Sequence, residues 1–406
     1  MAFYLGSNQI DNSNISYYIG SNFYNEENLF LQRQITQFDS NIDLIGSYAF
    51  QYCSALASIN LPQVITIGNS AFFSCTSLTS VSLPQVSTIG RYAFQYCRSL
   101  ASINLPQATT IGDGAFVICY SLTSINLPQA TTIGNYAFQS CSALTSIDLP
   151  QTTLIGNYAF YDCRSLVSIN LPSISTIGNY AFQGCSALTS IDLPQTTLIG
   201  SNAFRNCSSL TSINLPQVTT IGSSAFWACY SLTSVNLSQV TIIEREAFYS
   251  CYSLTSINLS QVTSIGETAF YDCRALTSIN LLQITSIGYM VFAYCYSLAL
   301  VSLPQVSIID EGAFYSCRTL TSVSLPQATS IGSNAFRNCY NLLSLYLLGS
   351  SIPTLGSIDA FYSTPISTYT TSTGGVYGSI YVPASLYNDY LTATNWSAFS
   401  SRFVSV

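Results

Sequence analysis

The chain has 406 residues, 48% of them hydrophobic and only 7% charged, with a formal net charge of −7. Its ten basic residues are all arginine; lysine and histidine are absent. Such sparse, acidic charge excludes the clustered basic surface that nucleic acid requires. Without imidazole or ammonium groups, the chain by itself cannot build a Ser-His-Asp, Cys-His, Schiff-base or His-metal site.

Residues 1–41 show no periodicity and are rich in Asn, Ser, Gln and Tyr, with an acidic patch at Glu26 and Glu27. They read as an N-terminal cap or attachment segment, because the first open edge of a stacked fold must be covered. The opening MAFYLGSNQIDNSN has neither the basic start nor the apolar stretch of a signal peptide. No run of about 20 apolar residues predicts a membrane helix. Ile42, Ile45 and Gly46 then match the second half of a degenerate repeat.

Residues 42–346 repeat one 22-residue unit, clearest from Ile213 to Ser234 as INLPQVTTIGSSAFWACYSLTS. Cysteine recurs at every twenty-second position from Cys53 to Cys339, and phenylalanine keeps the same beat three places earlier, from Phe50 to Phe336. A fixed period without insertions means a solenoid, whose units are too small to bury their own apolar faces and must stack. Each unit divides into three sides. In the first, Leu210, Ile213 and Leu215 alternate with Ser212 and Asn214, the period-2 pattern of a strand, and Pro216 ends it. Val218 and Ile221 predict a second brief strand. The following glycine column (Gly46, Gly68, Gly90, Gly222) reads as a corner needing positive φ. In the third, Ala225, Phe226 and Cys229 suggest one helical or 3-10 turn facing inward. The expected fold is therefore a β-solenoid-like stack of 22-residue units with parallel β-sheets and short helical turns, capped at both ends.

Residues 347–406 lose the rhythm but keep a trace of it in Ile352, Leu355, Gly356, Ala360 and Phe361. The stretch TPISTYTTSTGGVYGS reads as a long loop. Ile380 and Val382 predict a strand, a short helix is expected near 385–392, and Trp396 and Phe399 should pack over the last rung as a C-terminal cap.

Ile111-Gly112, Ala115-Phe116, Cys119, Ser121-Leu122-Thr123-Ser124-Ile125 and Leu127-Pro128 give the unit IGxxAFxxCxSLTSIxLP. It resembles the BspA-like leucine-rich repeats of bacterial, protozoan and phage-encoded surface proteins. The tail from Tyr381 is similar to the end segment of such proteins in gut Firmicutes and their phages. The resemblance implies adhesion or ligand binding.

Three features are candidates for function. The cysteine column lacks the Cys-x-x-Cys or Cys/His spacing of a metal site. Adjacent rungs come within disulfide reach, but side chains in a ladder point the same way, so a file of small buried hydrophobes is the favoured reading. The positions flanking Phe and Cys carry Tyr96, Tyr120, Trp227, Tyr230, Tyr249, Tyr252, Tyr271 and Tyr296, with Arg98, Arg164, Arg274 and Arg318. That composition resembles a paratope, and these twelve residues are the ligand-binding candidates; the competing reading is that the rings only shield the flank. The Ser–Asn face (Ser102 and Asn104, Ser124 and Asn126) and the Thr columns form an uncharged polar sheet. It serves stacking, carbohydrate recognition or ordered water. Asp148 and Asp192 lie about 10 Å apart, two rungs, a spacing like that of an inverting glycosidase. They lack a cleft to raise either pKa.

The chain thus reads as a non-catalytic recognition or adhesion protein without cofactor or metal, displayed extracellularly or on a virion surface. It would bind host protein or glycan through the solenoid flank, as a phage tail or receptor-binding component among the options. The alternative is a self-assembling structural protein forming filaments or lattices, with homo-oligomers or virion proteins as partners.

Overall fold

The computed structural model describes residues 2–5, 8–10, 35–39, 43–367 and 377–406. Glu26, Glu27, Ile42 and most of the Thr/Ser/Gly-rich stretch lie outside them. The chain divides into two compact units, residues 1–210 and 211–406, and each is a solenoid of parallel strands.

In the first unit, strands such as Ser102–Asn104 and Ser124–Asn126 pair in parallel and in register, Ser on Ser, Ile on Ile, Asn on Asn. Their central Ile is buried while Ser and Asn are exposed, as alternation requires. The second side is made of two-residue strands, such as Thr110–Ile111 on Thr132–Ile133. Strand Ile35–Asp39 joins the first-side sheet in parallel with Ser58–Asn60; Ala2–Leu5 pairs antiparallel with Ile35–Asp39, and Asn8–Ile10 antiparallel with Ala2–Leu5.

The second unit repeats the scheme with Ser212–Asn214 on Ser234–Asn236 and Ser286–Ile287 on Ile308–Ile309. Its first-side strand is missing at residues 256–258. There the Asn258 side chain turns back to accept from the Ser260 N–H at 3.1 Å, a local bond that competes with the ladder. The unit ends on strand Ser379–Val382, which pairs in parallel with Ser344–Tyr346 on one side and with Phe403–Ser405 on the other. Short helices Ala384–Leu386 and Tyr387–Tyr390 lie between. Trp396 and Phe399 close on Phe361 at 6.0 and 5.5 Å between ring centres, and the Trp396 indole N–H donates to the Pro353 carbonyl at 2.7 Å. The final strand Phe403–Ser405 was not legible in the sequence.

Two sequence expectations fail. The third side is not a helical turn. Alternate N–H groups, those of Ala225, Trp227 and Cys229, bond back three residues, while Ser224, Phe226 and Ala228 donate to Arg245, Ala247 and Tyr249 of the next coil. This requires a left-handed residue twice per coil: φ is +53° at Ser224 and +56° at Ala228, and the pair recurs along both units. The glycine column, by contrast, does not serve positive φ. A Cβ on Gly156 would stand 2.6 Å from the Asn135 nitrogen and 2.8 Å from the Gly134 carbon. Gly90, Gly112, Gly134 and Gly178 meet the preceding coil's backbone as closely, so the glycines permit close approach of coils.

The core consists of files. Phenylalanines stack face to face, as Phe94, Phe116 and Phe138 do at 5.3 Å, each pair adding about 0.5–1.5 kcal/mol beyond burial. All fourteen cysteines are buried. Their Sγ–H groups donate across coils: Cys141 to the Phe116 carbonyl and Cys163 to that of Phe138, both at 3.1 Å. The cysteine thus completes a backbone acceptor as well as filling space. Burial, with neighbouring thiols adding, pushes the thiols of Cys119, Cys163, Cys185, Cys251 and Cys273 up, which makes them unreactive.

Candidate functional site

The flank residues singled out in the sequence divide between the units. In the first, the Arg98 guanidinium lies 5.7 Å from the Tyr96 ring centre and 6.0 Å from that of Tyr120, and Tyr96 packs edge-on against Phe73 at 5.5 Å. Arg164 stands apart from this cluster. It forms a two-pronged ion pair with Asp162, Nε to Oδ1 at 2.7 Å and Nη2 to Oδ2 at 2.9 Å.

The second unit brings the other eight together as two adjoining columns. Trp227 stacks on Tyr249 at 5.8 Å and Tyr249 on Tyr271 at 4.6 Å. Tyr230 stacks on Tyr252 at 4.8 Å. Arg274 then lies over Tyr252 at 4.1 Å, and Arg318 over Tyr296 at 4.3 Å. Tyr294 links the columns, tilted against Tyr271 at 5.1 Å and edge-on to Tyr296 at 6.1 Å. Arg274 is also held by Asp272 at 2.8 and 2.9 Å, a hydrogen bond that pushes its pKa up. Burial, then the neighbouring phenols, raises the pKa of Tyr271. The arrangement is a rigid aromatic strip with fixed guanidinium groups, half-buried at Trp227, Tyr249, Tyr252, Tyr271 and Tyr296 and exposed at Tyr230, Arg274 and Arg318.

The polar first-side face is committed to stacking. Asn126 Nδ2 donates to Asn104 Oδ1 at 2.8 Å, and Asn236 to Asn214 at 2.9 Å. Threonine hydroxyls donate to backbone, Thr123 to Ala101 and Thr233 to Thr211, both at 3.0 Å. Asp148 is a rung of the same ladder, accepting from Asn170 at 2.8 Å. It sits exposed on a strand face, without the enclosure that would tune an acid. Among the described residues no group of His, Cys, Asp or Glu could hold a metal ion, and no helix is long and apolar enough to cross a membrane.

Sequence reasoning missed a third column, Tyr136, Tyr158 and Tyr180, stacked at 4.9 and 4.5 Å in the first unit. Its signal was present in three consecutive Gly-Asn-Tyr-Ala-Phe segments. The asparagines of these segments add a further ladder, since Asn135 Oδ1 accepts from the Asn157 N–H and Asn157 Oδ1 from the Asn179 N–H, each at 2.8 Å.

The comparisons with known proteins agree with this geometry. The family model "BspA type leucine rich repeat region" matches residues 17–144, 131–255 and 241–368. The chain belongs to the BspA-type leucine-rich repeat family. It is similar to a solved leucine-rich repeat protein from Bacteroides ovatus, with 29% identity and a TM-score of 0.71, over 86% of this chain and 92% of that one. It is also similar to a leucine-rich cell surface protein from Faecalibacterium prausnitzii, with 23% identity and a TM-score of 0.38, over 90% and 93% of the two chains. Among curated proteins none matches the chain. Solenoids of stacked repeats act as binding scaffolds through their extended surfaces.

Proposed function

We propose that this BspA-type solenoid is a non-catalytic recognition and adhesion protein, displayed on a cell or virion surface, whose aromatic–arginine strip in the second unit binds a host protein or glycan. The observation that carries this reading is the pair of adjoining columns, Trp227–Tyr249–Tyr271 and Tyr230–Tyr252–Arg274. Tyr, Trp and Arg are the residues that dominate binding energy at protein interfaces. Here each is already held by its neighbours, so little side-chain freedom remains to be lost on binding. Ring faces are consumed within the columns, which leaves edges, phenol hydroxyls and guanidinium groups for a partner. That favours a hydrogen-bonding protein surface over a sugar laid flat on an aromatic platform.

The test is replacement of Tyr230, Tyr252 and Tyr296 together by alanine. Binding of the labelled protein to a glycan array and to intact epithelial cells should fall at least about tenfold, a loss of about 1.4 kcal/mol, while circular dichroism stays native. Undiminished binding by the folded triple variant would remove the strip from consideration.

A further inference from the structure

The Tyr136–Tyr158–Tyr180 column lies in the first unit and takes no part in the strip just described. The three tyrosines occupy the same position in successive coils and share one unusual backbone conformation, with φ of 57°, 57° and 59°. Each N–H is tied to the following coil: Tyr136 to the Asn157 carbonyl at 2.8 Å, Tyr158 to Asn179 and Tyr180 to Ser201 at 2.9 Å. The backbone therefore fixes all three side chains in register. The rings respond by stacking nearly parallel, Tyr158 on Tyr180 at 4.5 Å and 6°, and Tyr136 on Tyr158 at 4.9 Å and 8°. Tyr158 has a tyrosine on each face, and Tyr161 approaches it at 5.7 Å. Tyr136 is 39% exposed, which opens the column to an oxidant. No cysteine competes at this surface, because the thiols are buried.

We propose that this column is an oxidative cross-linking site, at which a haem peroxidase with hydrogen peroxide couples Tyr158 to Tyr180 as dityrosine and staples neighbouring coils covalently. Each phenol gives up one hydrogen atom, as a proton and an electron, and the two phenoxyl radicals join through ring carbons ortho to their oxygens. The hydrogens displaced from those carbons move to the oxygens and restore both aromatic rings. One hydrogen peroxide is reduced to two waters, so two phenols yield one biphenol and the balance closes. A radical formed at exposed Tyr136 reaches Tyr158 through the stack, and the departing protons are taken up as the peroxide is reduced to water. The cross-link closes a short loop and holds the coils together when the unit is stressed.

Arginine is sparse enough to make the test clean. Trypsin cuts after Arg98, Arg164 and Arg205, so Tyr158 falls in peptide 99–164, and Tyr180 is the only tyrosine of peptide 165–205. The folded full chain is treated with horseradish peroxidase and hydrogen peroxide, and the monomer is isolated, unfolded and digested. The expected result is dityrosine fluorescence in the monomer and a joined 99–164/165–205 species two hydrogens lighter than the sum. That species should be lost in Tyr180→Phe and in chain unfolded in urea before oxidation. The proposal is overturned if the joined species is absent, if the hydrogen loss is confined to peptide 99–164, or if dityrosine appears only in dimers. Persistence of the species in folded Tyr180→Phe, or its equal formation in unfolded chain, overturns it as well. The melting midpoint of Tyr180→Phe before oxidation confirms that the variant is folded.

Discussion

The residues that set this architecture apart are those that break ordinary backbone rules. Two left-handed positions per coil are filled mostly by residues with a side chain, among them Tyr158, Asp272 and Ile118. Ile118 is the least suited of these, because a β-branched residue at φ +62° crowds its own backbone. Replacement by asparagine, which tolerates that region, should stabilise the protein by about 1 kcal/mol, read as a higher urea midpoint; an unchanged midpoint would show that the strain is absorbed elsewhere. The opposite holds for the glycine column. Gly156→Ala places a methyl 2.6 Å from the Asn135 nitrogen and should destabilise by about 1–3 kcal/mol, the range for overpacking. Tolerance of alanine there would mean that neighbouring coils separate more easily than their contacts suggest.

Among the elements, the cysteine file and the C-terminal cap make the sharpest claims. Every thiol is buried, so Ellman's reagent should label none in the native protein and all fourteen after unfolding. Rapid native labelling of even one would place that thiol outside the file. In the cap, Tyr390 is fully buried against Trp396 and Phe403, and its hydroxyl has no partner among the described residues. Burial pushes its pKa from the ordinary 10.0 up to about 12. Because the folded protein holds this proton more tightly than the unfolded chain, the stabilisation is complete below pH 10 and is lost as pH rises through about 12. Tyr390→Phe should flatten this alkaline loss and leave stability at pH 7 equal or slightly higher. A chain with the same alkaline midpoint as before would assign the loss to other groups.

For the molecule as a whole, stability is a sum of coil and neighbour terms rather than the property of one core. Removing residues 130–151, one full 22-residue period, joins Gln129 to Thr152 with every downstream residue still in its column. This shortened chain should fold with the same circular dichroism per residue. Removing residues 130–150 instead leaves one coil a residue too long, so that one residue must bulge out of its column at the junction, and should lower the melting midpoint. Equal behaviour of the two deletions would refute the register argument. The same periodicity makes a binding strip inexpensive to evolve, since a substitution outside the files alters the surface without touching Phe, Cys or Leu.

How much of this was legible from residues alone follows from what repetition can and cannot encode. The 22-residue beat of Phe50, Cys53 and their successors determined a stacked solenoid with its apolar files inside, because identical units can bury apolar faces only against one another. It also identified the Ser–Asn strand, the second strand and the aromatic cap. Local conformation was another matter. Ser224 and Ala228 carry no chemical mark of a left-handed backbone, and helix was the natural reading of an Ala-Phe-x-x-Cys spacing. The hydrogen bonds that impose the left-handed geometry run to the next coil, so only stacking reveals them. For the same reason the glycine column was assigned to a turn when its true constraint is a neighbour's backbone, and the Sγ–H bond to phenylalanine, 25 residues away, was invisible. Of the candidate site, the sequence named the aromatic and arginine columns; the three-dimensional stack decided which of them touch. Arg164 and Arg274 each pair with an aspartate two residues earlier, but Arg274 also lies over Tyr252, whereas the column neighbours of Arg164 are Ser142 and Ser186.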